Sequence, residues 1–169
     1  MKALWAPWRI DYILGPKPDE CVFCLPEDTC RDEELLVLCR ARYCFVIMNK
    51  FPYSNAHLMV TPYRHVQCMT ELEDLESREM MVWLKECARI MKTAFNPPGI
   101  NMGLNIGEAA GAGIREHLHF HILPRWVGDH SFMAVMNETM VIPEHLRSTY
   151  SKLKPFFSDS HSRLDRNQI

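Results

Sequence analysis

The stretch Glu116-His117-Leu118-His119-Phe120-His121-Ile122-Leu123-Pro124 places a histidine at every second position. A strand's period of two puts all three imidazoles on one face and Leu118, Phe120 and Ile122 on the other, so that one side packs into a core while the other lines a cleft. Two chemistries fit such a row. Neutral imidazoles are good zinc ligands, and three of them leave a fourth position open for water; alternatively, one imidazole attacks phosphorus while its neighbours hold the phosphate oxygens. A bland reading, satisfied polar side chains without a task, is weaker, because one strand rarely gathers three titratable groups unused.

Working upstream, Ile100–Ile106 reads as a further strand. The loop Gly107-Glu108-Ala109-Ala110-Gly111-Ala112-Gly113 then leads into the histidines. Its small residues let backbone N–H groups approach an anion; a plain turn is the commoner reading of such a loop, and its place just before the histidines adds weight to the first. Leu35-Leu36-Val37-Leu38, Tyr43–Met48 and His57–Thr61 read as short strands, the last two joined by the turn-prone Asn49–Asn55, in an antiparallel meander. Thr70-Glu71-Leu72-Glu73 has capping-box spacing. Met80, Met81, Leu84, Cys87, Ala88, Met91 and Phe95 then recur at helical intervals until Pro97-Pro98-Gly99. This predicts a long amphipathic helix, with a break near Glu76-Ser77, whose Met-rich stripe is ordinary core.

With 169 residues, 47% of them hydrophobic, the chain suits one domain with a substantial core. A formal net charge of −2 gives no reason to expect a nucleic-acid backbone or an anionic membrane as partner. Neither a signal peptide nor a bilayer-spanning segment is legible, so a soluble, cytoplasmic protein is expected. Residues 1–34 are broken up by Pro7, Pro16, Pro18 and Pro26 and read as irregular; 35–157 read as the folded domain with a C-terminal extension; and 158–169 read as a polar tail that frays. Seven cysteines, an odd number scattered through apolar stretches, argue against a disulfide framework. The pair in Cys21-Val22-Phe23-Cys24 suits two thiolates on a tetrahedral metal, or two buried thiols; a redox pair is less suited because no thioredoxin-like pattern surrounds it.

His117-Leu118-His119-Phe120-His121-Ile122-Leu123, continued by Pro124-Arg125, resembles the His-φ-His-φ-His-φ-φ signature of the histidine triad nucleotide hydrolases and transferases. The likeness extends to Asn49–Pro62, similar to the family segment that carries a fourth active-site histidine, here His57, and to Asn105-Ile106-Gly107, covering roughly residues 35–145. Leu4–Arg9, Pro62-Tyr63-Arg64, Glu116–His119 and Pro124–Asp129 most resemble the branch of bacterial diadenosine tetraphosphate phosphorylases and hydrolases.

That resemblance implies an α+β fold: a five-stranded antiparallel sheet with the long helix on one face, paired into a homodimer with a continuous sheet. It implies His119 as nucleophile toward the α-phosphorus of a nucleoside polyphosphate or related adenylated compound, with water or phosphate then releasing the nucleotide. His121 and His57 are expected to bind the phosphate oxygens, helped by Asn105 and the N–H groups of Gly111 to Gly113. Asn49 matches a ribose-contacting position, although a turn-capping amide is an equal reading. Trp126 is a secondary candidate for stacking on a base. Gly113 stands where relatives carry glutamine, serine or threonine, so a side-chain donor to the leaving oxygen is missing. Finally, many bacterial members complete a Cys-x-x-Cys pair with two histidines whose counterparts here are His65 and His117. That implies a structural Zn2+ on Cys21, Cys24, His65 and His117, with no metal required for the chemical step. Three function classes follow: a metal-independent nucleotidyl hydrolase or transferase acting on dinucleoside polyphosphates, phosphoramidates or other adenylates; a hydrolase with zinc held by the triad itself; and a nucleotide-binding regulatory module.

Overall fold

The structure, a computed structural model, describes residues 21–127 and 144–166, with side chains as far as residue 164. Five strands, β1 (Val37–Arg40), β2 (Cys44–Met48), β3 (Leu58–Pro62), β4 (Gly99–Gly103) and β5 (Phe120–Arg125), form one antiparallel sheet in the order β1-β2-β3-β5-β4. The expected meander is β1-β2-β3. Helix α1 (Asp74–Phe95) connects it to the β4-β5 hairpin, and a second helix, α2 (Leu146–Arg166), follows.

Alternation divides the sheet into two unlike faces. On one, Leu38, Val46, Met48, Leu58, Val60 and Ile122 meet Met80, Trp83, Cys87, Ile90 and Met91 of α1 and Tyr150, Leu153 and Phe157 of α2. Trp83 and Phe157 stack with centroids 6.3 Å apart and an interplanar angle of 18°; cutting either to alanine costs about 3–5 kcal/mol. The opposite face carries a smaller cluster, Val37, Phe45, Ile47 and Met59, closed by Phe23 from the Cys-x-x-Cys turn. The histidines of the 117–121 segment lie on this second side, beside Phe23.

The helix start differs from the expectation. Thr70 does not open a capping box. Instead Met69–Glu71 form a 3-10 turn, and α1 begins after Glu73, whose N–H donates to the Glu76 carboxylate at 2.8 Å. The helix then runs unbroken through Glu76-Ser77 and ends at Asn96, in the left-handed region that asparagine tolerates. Glu79, buried on α1, accepts from the backbone N–H groups of Arg42 (3.2 Å), Tyr43 (2.6 Å) and Cys44 (3.0 Å), pinning the β1-β2 turn to the helix.

The frayed tail expected from Ser158 is also corrected: α2 passes through it to Arg166. Ser160 is buried and bonds the buried Glu86 of α1, which also takes the guanidinium groups of Arg89 and Arg163, each at 2.6 Å. Burial alone would raise the Glu86 pKa, but donation from Arg89 and Ser160 and the two positive charges pull it down to about 2. The same helix covers the β1 edge. Tyr150 Oη donates to Val37 O (3.0 Å), Lys154 Nζ to Leu38 O (3.0 Å) and the His161 ring to Arg40 O (2.8 Å). β4, at the other edge, leaves Asn101, Met102 and Gly103 exposed.

Candidate active site

The strand expected to carry all three histidines starts later, at Phe120. His117 and His119 belong to the extended segment before it, which is fixed by its own contacts. Leu118 N–H donates to Val66 O (2.7 Å), and Thr61 Oγ1 donates to Leu118 O (3.2 Å). The two-residue alternation survives, so His117, His119 and His121 share a side, each less than a tenth exposed.

Their hydrogen bonds fix every tautomer, because a carbonyl only accepts and a backbone N–H only donates. His119 Nδ1 lies 2.8 Å from His117 O, so Nδ1 holds the proton and Nε2 keeps the lone pair. The Tyr53 N–H donates to His57 Nδ1 at 3.1 Å, which puts the His57 proton on Nε2. His57 Nε2 in turn donates to His121 Nδ1 at 2.8 Å, leaving His121 with an Nε2–H. His117 gives its Nε2–H to Pro62 O at 2.9 Å and keeps a bare Nδ1.

Burial holds these imidazoles neutral. It is the main reason that His57 drops to about 3, with the like charges that His121 and His119 would carry adding to it. It also takes His121 to about 4, again with His119 contributing. His119 and His117 are lowered by burial too, against the raising effect of the carbonyl each one donates to. The nucleophile expected of this sequence therefore stands ready as a free base at neutral pH.

His117 turns away from this pair. Its Nδ1 lies 3.4 Å from Cys21 Sγ and 3.9 Å from Cys24 Sγ, while His65 Nδ1 lies 3.3 Å from Cys24 Sγ. All four donor atoms fall within 4.8 Å of one another. A tetrahedral zinc, with bonds of about 2.0–2.3 Å, needs N···S edges of about 3.6 Å, which these distances bracket. Among the described residues this is the one set of three or more such side chains placed to hold a metal. Among the described residues His119 and His121 join no such group, while the His117 Nδ1 lies against the cysteines, an arrangement that does not support a zinc held by the triad itself.

His57 is fully buried, with one ring nitrogen on the Tyr53 N–H and the other on His121. Asn49 Oδ1 accepts from Phe51 N–H at 2.8 Å, the turn-capping reading. Asn105 sits half-buried just past β4, and Trp126 half-buried just past β5. In the glycine-rich loop, the N–H groups of Gly111 and Ala112 close the loop's own turns onto Glu108 O and Gly107 O; Gly113 is exposed. Gly107 and Gly111 have φ of 80° and 84°, the conformation for which glycine serves here. Leu4–Arg9, expected to mark the family branch, lies outside the described residues, as do residues 131–143 of the stretch from about 131 to 157 expected to shape the leaving-group pocket.

Two participants had no role assigned from sequence. Tyr53 supplies the N–H that sets His57, and its half-exposed ring lies 4.8 Å from His57 and 5.8 Å from His121. Phe23 sits 4.9 Å from the His119 ring. The one sequence signal for Phe23 was its place between the two cysteines.

The HIT domain model matches residues 32–127, more than half of the chain. The protein belongs to the HIT domain family. Within the HIT family it is 37% identical to AP-4-A phosphorylase of Mycobacterium tuberculosis over 159 residues, which cover 88% of this chain and 80% of that protein. Among solved HIT structures, a hypothetical histidine triad nucleotide-binding protein from Sulfolobus tokodaii is 27% identical with a TM-score of 0.63, covering 88% of this chain and 96% of that one. A Zn-bound histidine triad family protein from Mycobacterium smegmatis aligns with a TM-score of 0.64 at 20% identity, over 85% of this chain and 97% of that one. The α+β architecture of this chain is thus that of the HIT fold.

Proposed function

We propose that this HIT protein is a nucleotidyltransferase that cleaves diadenosine tetraphosphate, or a closely related dinucleoside polyphosphate, through a nucleotidyl-His119 intermediate. The carrying observation is the His119 tautomer: with Nδ1–H bonded to His117 O, the lone pair is confined to Nε2. The substrate follows from 37% identity, over most of both chains, to a protein named AP-4-A phosphorylase.

In the first step Nε2 bonds to the α-phosphorus and the bond to the bridging oxygen breaks, releasing ATP. The attached imidazole becomes cationic. Its Nδ1–H already faces the His117 carbonyl, which stabilises that charge, and the His121 Nε2–H is the donor for a phosphoryl oxygen. In the second step an oxygen of inorganic phosphate bonds to the same phosphorus and the P–N bond breaks. ADP leaves and neutral His119 is restored. Water as acceptor gives AMP instead. Asn105 and Gly113 stand as contacts for the phosphate chain, Asn49 for the ribose and Trp126 for a base.

Zinc is the metal assigned to Cys21, Cys24, His65 and His117. Two thiolates and two imidazoles would fill all four positions of such an ion, which would then supply anchorage and not water activation. Donation of the His117 Nε2–H to Pro62 O is the outer contact that orients such a ligand. A homodimer forms by pairing the open β4 edge with its copy, since the β1 edge is closed by α2. Among the described residues no helix is long and apolar enough to cross a membrane.

Product analysis tests this reading. Diadenosine tetraphosphate with inorganic phosphate should yield ADP and ATP, and His119→Ala should yield neither. AMP and ATP formed equally with or without phosphate would make the enzyme a hydrolase. Turnover by His119→Ala would remove the proposed intermediate.

A further inference from the structure

The metal cluster and the nucleophile share a side chain that belongs to neither. Phe23 lies between Cys21 and Cys24, is 3% exposed, and places its ring 5.6 Å from His117 at 69° and 4.9 Å from His119 at 42°. Its other neighbours, Val37, Phe45, Ile47 and Met59, belong to the sheet. Two cysteines that reach across to His117 and His65 therefore fix the turn on which Phe23 stands. The backbone of Cys21 and Cys24 is itself closed by a 3.0 Å hydrogen bond.

A hydrogen bond to His117 O anchors one nitrogen of the His119 ring but leaves its plane free to rock about that bond. The His121 ring approaches one side at 81° with centroids 4.8 Å apart. Phe23 supplies a second wall. We infer that Phe23 is a positioning residue for the nucleophile, coupling the Cys21/Cys24/His65/His117 cluster to the plane of the His119 imidazole. The inference rests on His119 being the nucleophile. An in-line displacement needs the Nε2 lone pair aimed at phosphorus, and a misplacement of about 1 Å costs on the order of a hundredfold in rate.

The test uses the full-length zinc-loaded protein and Phe23→Leu, which keeps apolar bulk but removes the flat wall. Phe23→Leu should bind its metal and melt within a few degrees of wild type. Its kcat for diadenosine tetraphosphate should fall about tenfold to a hundredfold, with KM changed less than threefold. In the wild type, NMR should record a nuclear Overhauser contact between the Phe23 and His119 rings that vanishes when the metal is chelated. A raised KM with unchanged kcat would make Phe23 a wall of the nucleotide pocket and overturn the inference, as would a ring contact that persists after chelation. A Phe23→Leu protein that misfolds leaves the chelation arm to decide. His119→Ala separates the two claims. If that variant is dead while Phe23→Leu is fully active, only the coupling fails; if His119→Ala turns over, the nucleophile itself was misassigned.

Discussion

His57 donates its Nε2–H to Nδ1 of His121 across 2.8 Å and accepts the Tyr53 N–H on its other nitrogen at 3.1 Å. Sealed from solvent, it passes the polarity of a backbone amide to the His121 imidazole, the proposed donor to a phosphoryl oxygen. Removing His121 should therefore cost more than removing His57, and the two losses should overlap. His121→Ala is expected to lower kcat about a hundredfold and His57→Ala about tenfold, because the latter only frees the His121 tautomer. The double variant should be no worse than about twice the His121→Ala loss. Fully multiplicative losses would show that His57 acts on its own.

Acid should unfold the protein through this pair. Burial lowers the folded values of His57 and His121 to about 3 and 4, whereas imidazoles in the unfolded chain titrate near 6.5. Between these limits the unfolded state binds more protons, so stability is full above about pH 6.5 and falls as pH drops toward 4 and then 3. Urea denaturation across this range should show the slope, and His57→Leu/His121→Leu should flatten it. Catalysis should also lack an imidazole inflection from His121 near 6.5.

How much of this was legible in the chain depends on where the information lies. The period of two in residues 117–122 gave the shared side of the three histidines, and the 3.6-residue recurrence from Met80 to Phe95 gave α1. Helix α2 was hidden. Its apolar contacts, Tyr150, Leu153 and Phe157, are diluted by polar residues, and Pro155 reads as a breaker. What holds its last turns, Ser160 and Arg163 on Glu86, is a tertiary contact without a local signature. Likewise the motif names His57 as a site histidine, yet only the fold shows that Tyr53 and His121 consume both its nitrogens.

The clamp at Glu86 carries a stability prediction. Glu86→Ala leaves Arg89 and Arg163 half-exposed and without their shared buried carboxylate; with solvent softening the loss, about 2 kcal/mol is expected. In a chain of this size that lowers Tm by about 4–8 °C. Truncation before Ser158 should destabilise at least as much, whereas a frayed tail would be removed at no cost. Differential scanning calorimetry distinguishes the two.

Metal exchange separates anchorage from catalysis. Co2+ or Cd2+ in place of zinc on Cys21, Cys24, His65 and His117 should leave kcat within about twofold, because no open position meets the substrate. Cys24→Ser should lose the metal and lower Tm, each 1 kcal/mol of metal-linked stability appearing as about 2–4 °C. A kcat that tracks the identity of the metal would place the ion in the chemistry.

The central claim is the covalent adduct on His119. Protein mixed with diadenosine tetraphosphate in the absence of inorganic phosphate, then denatured at alkaline pH where a phosphoramidate survives, is digested and its peptides weighed. An adenylyl group on the peptide spanning His117 to His121, localised to His119 and discharged as ADP when phosphate is added before quenching, is the predicted result. An adduct on another residue, or turnover with no adduct in wild type and undiminished rate in His119→Ala, would contradict it.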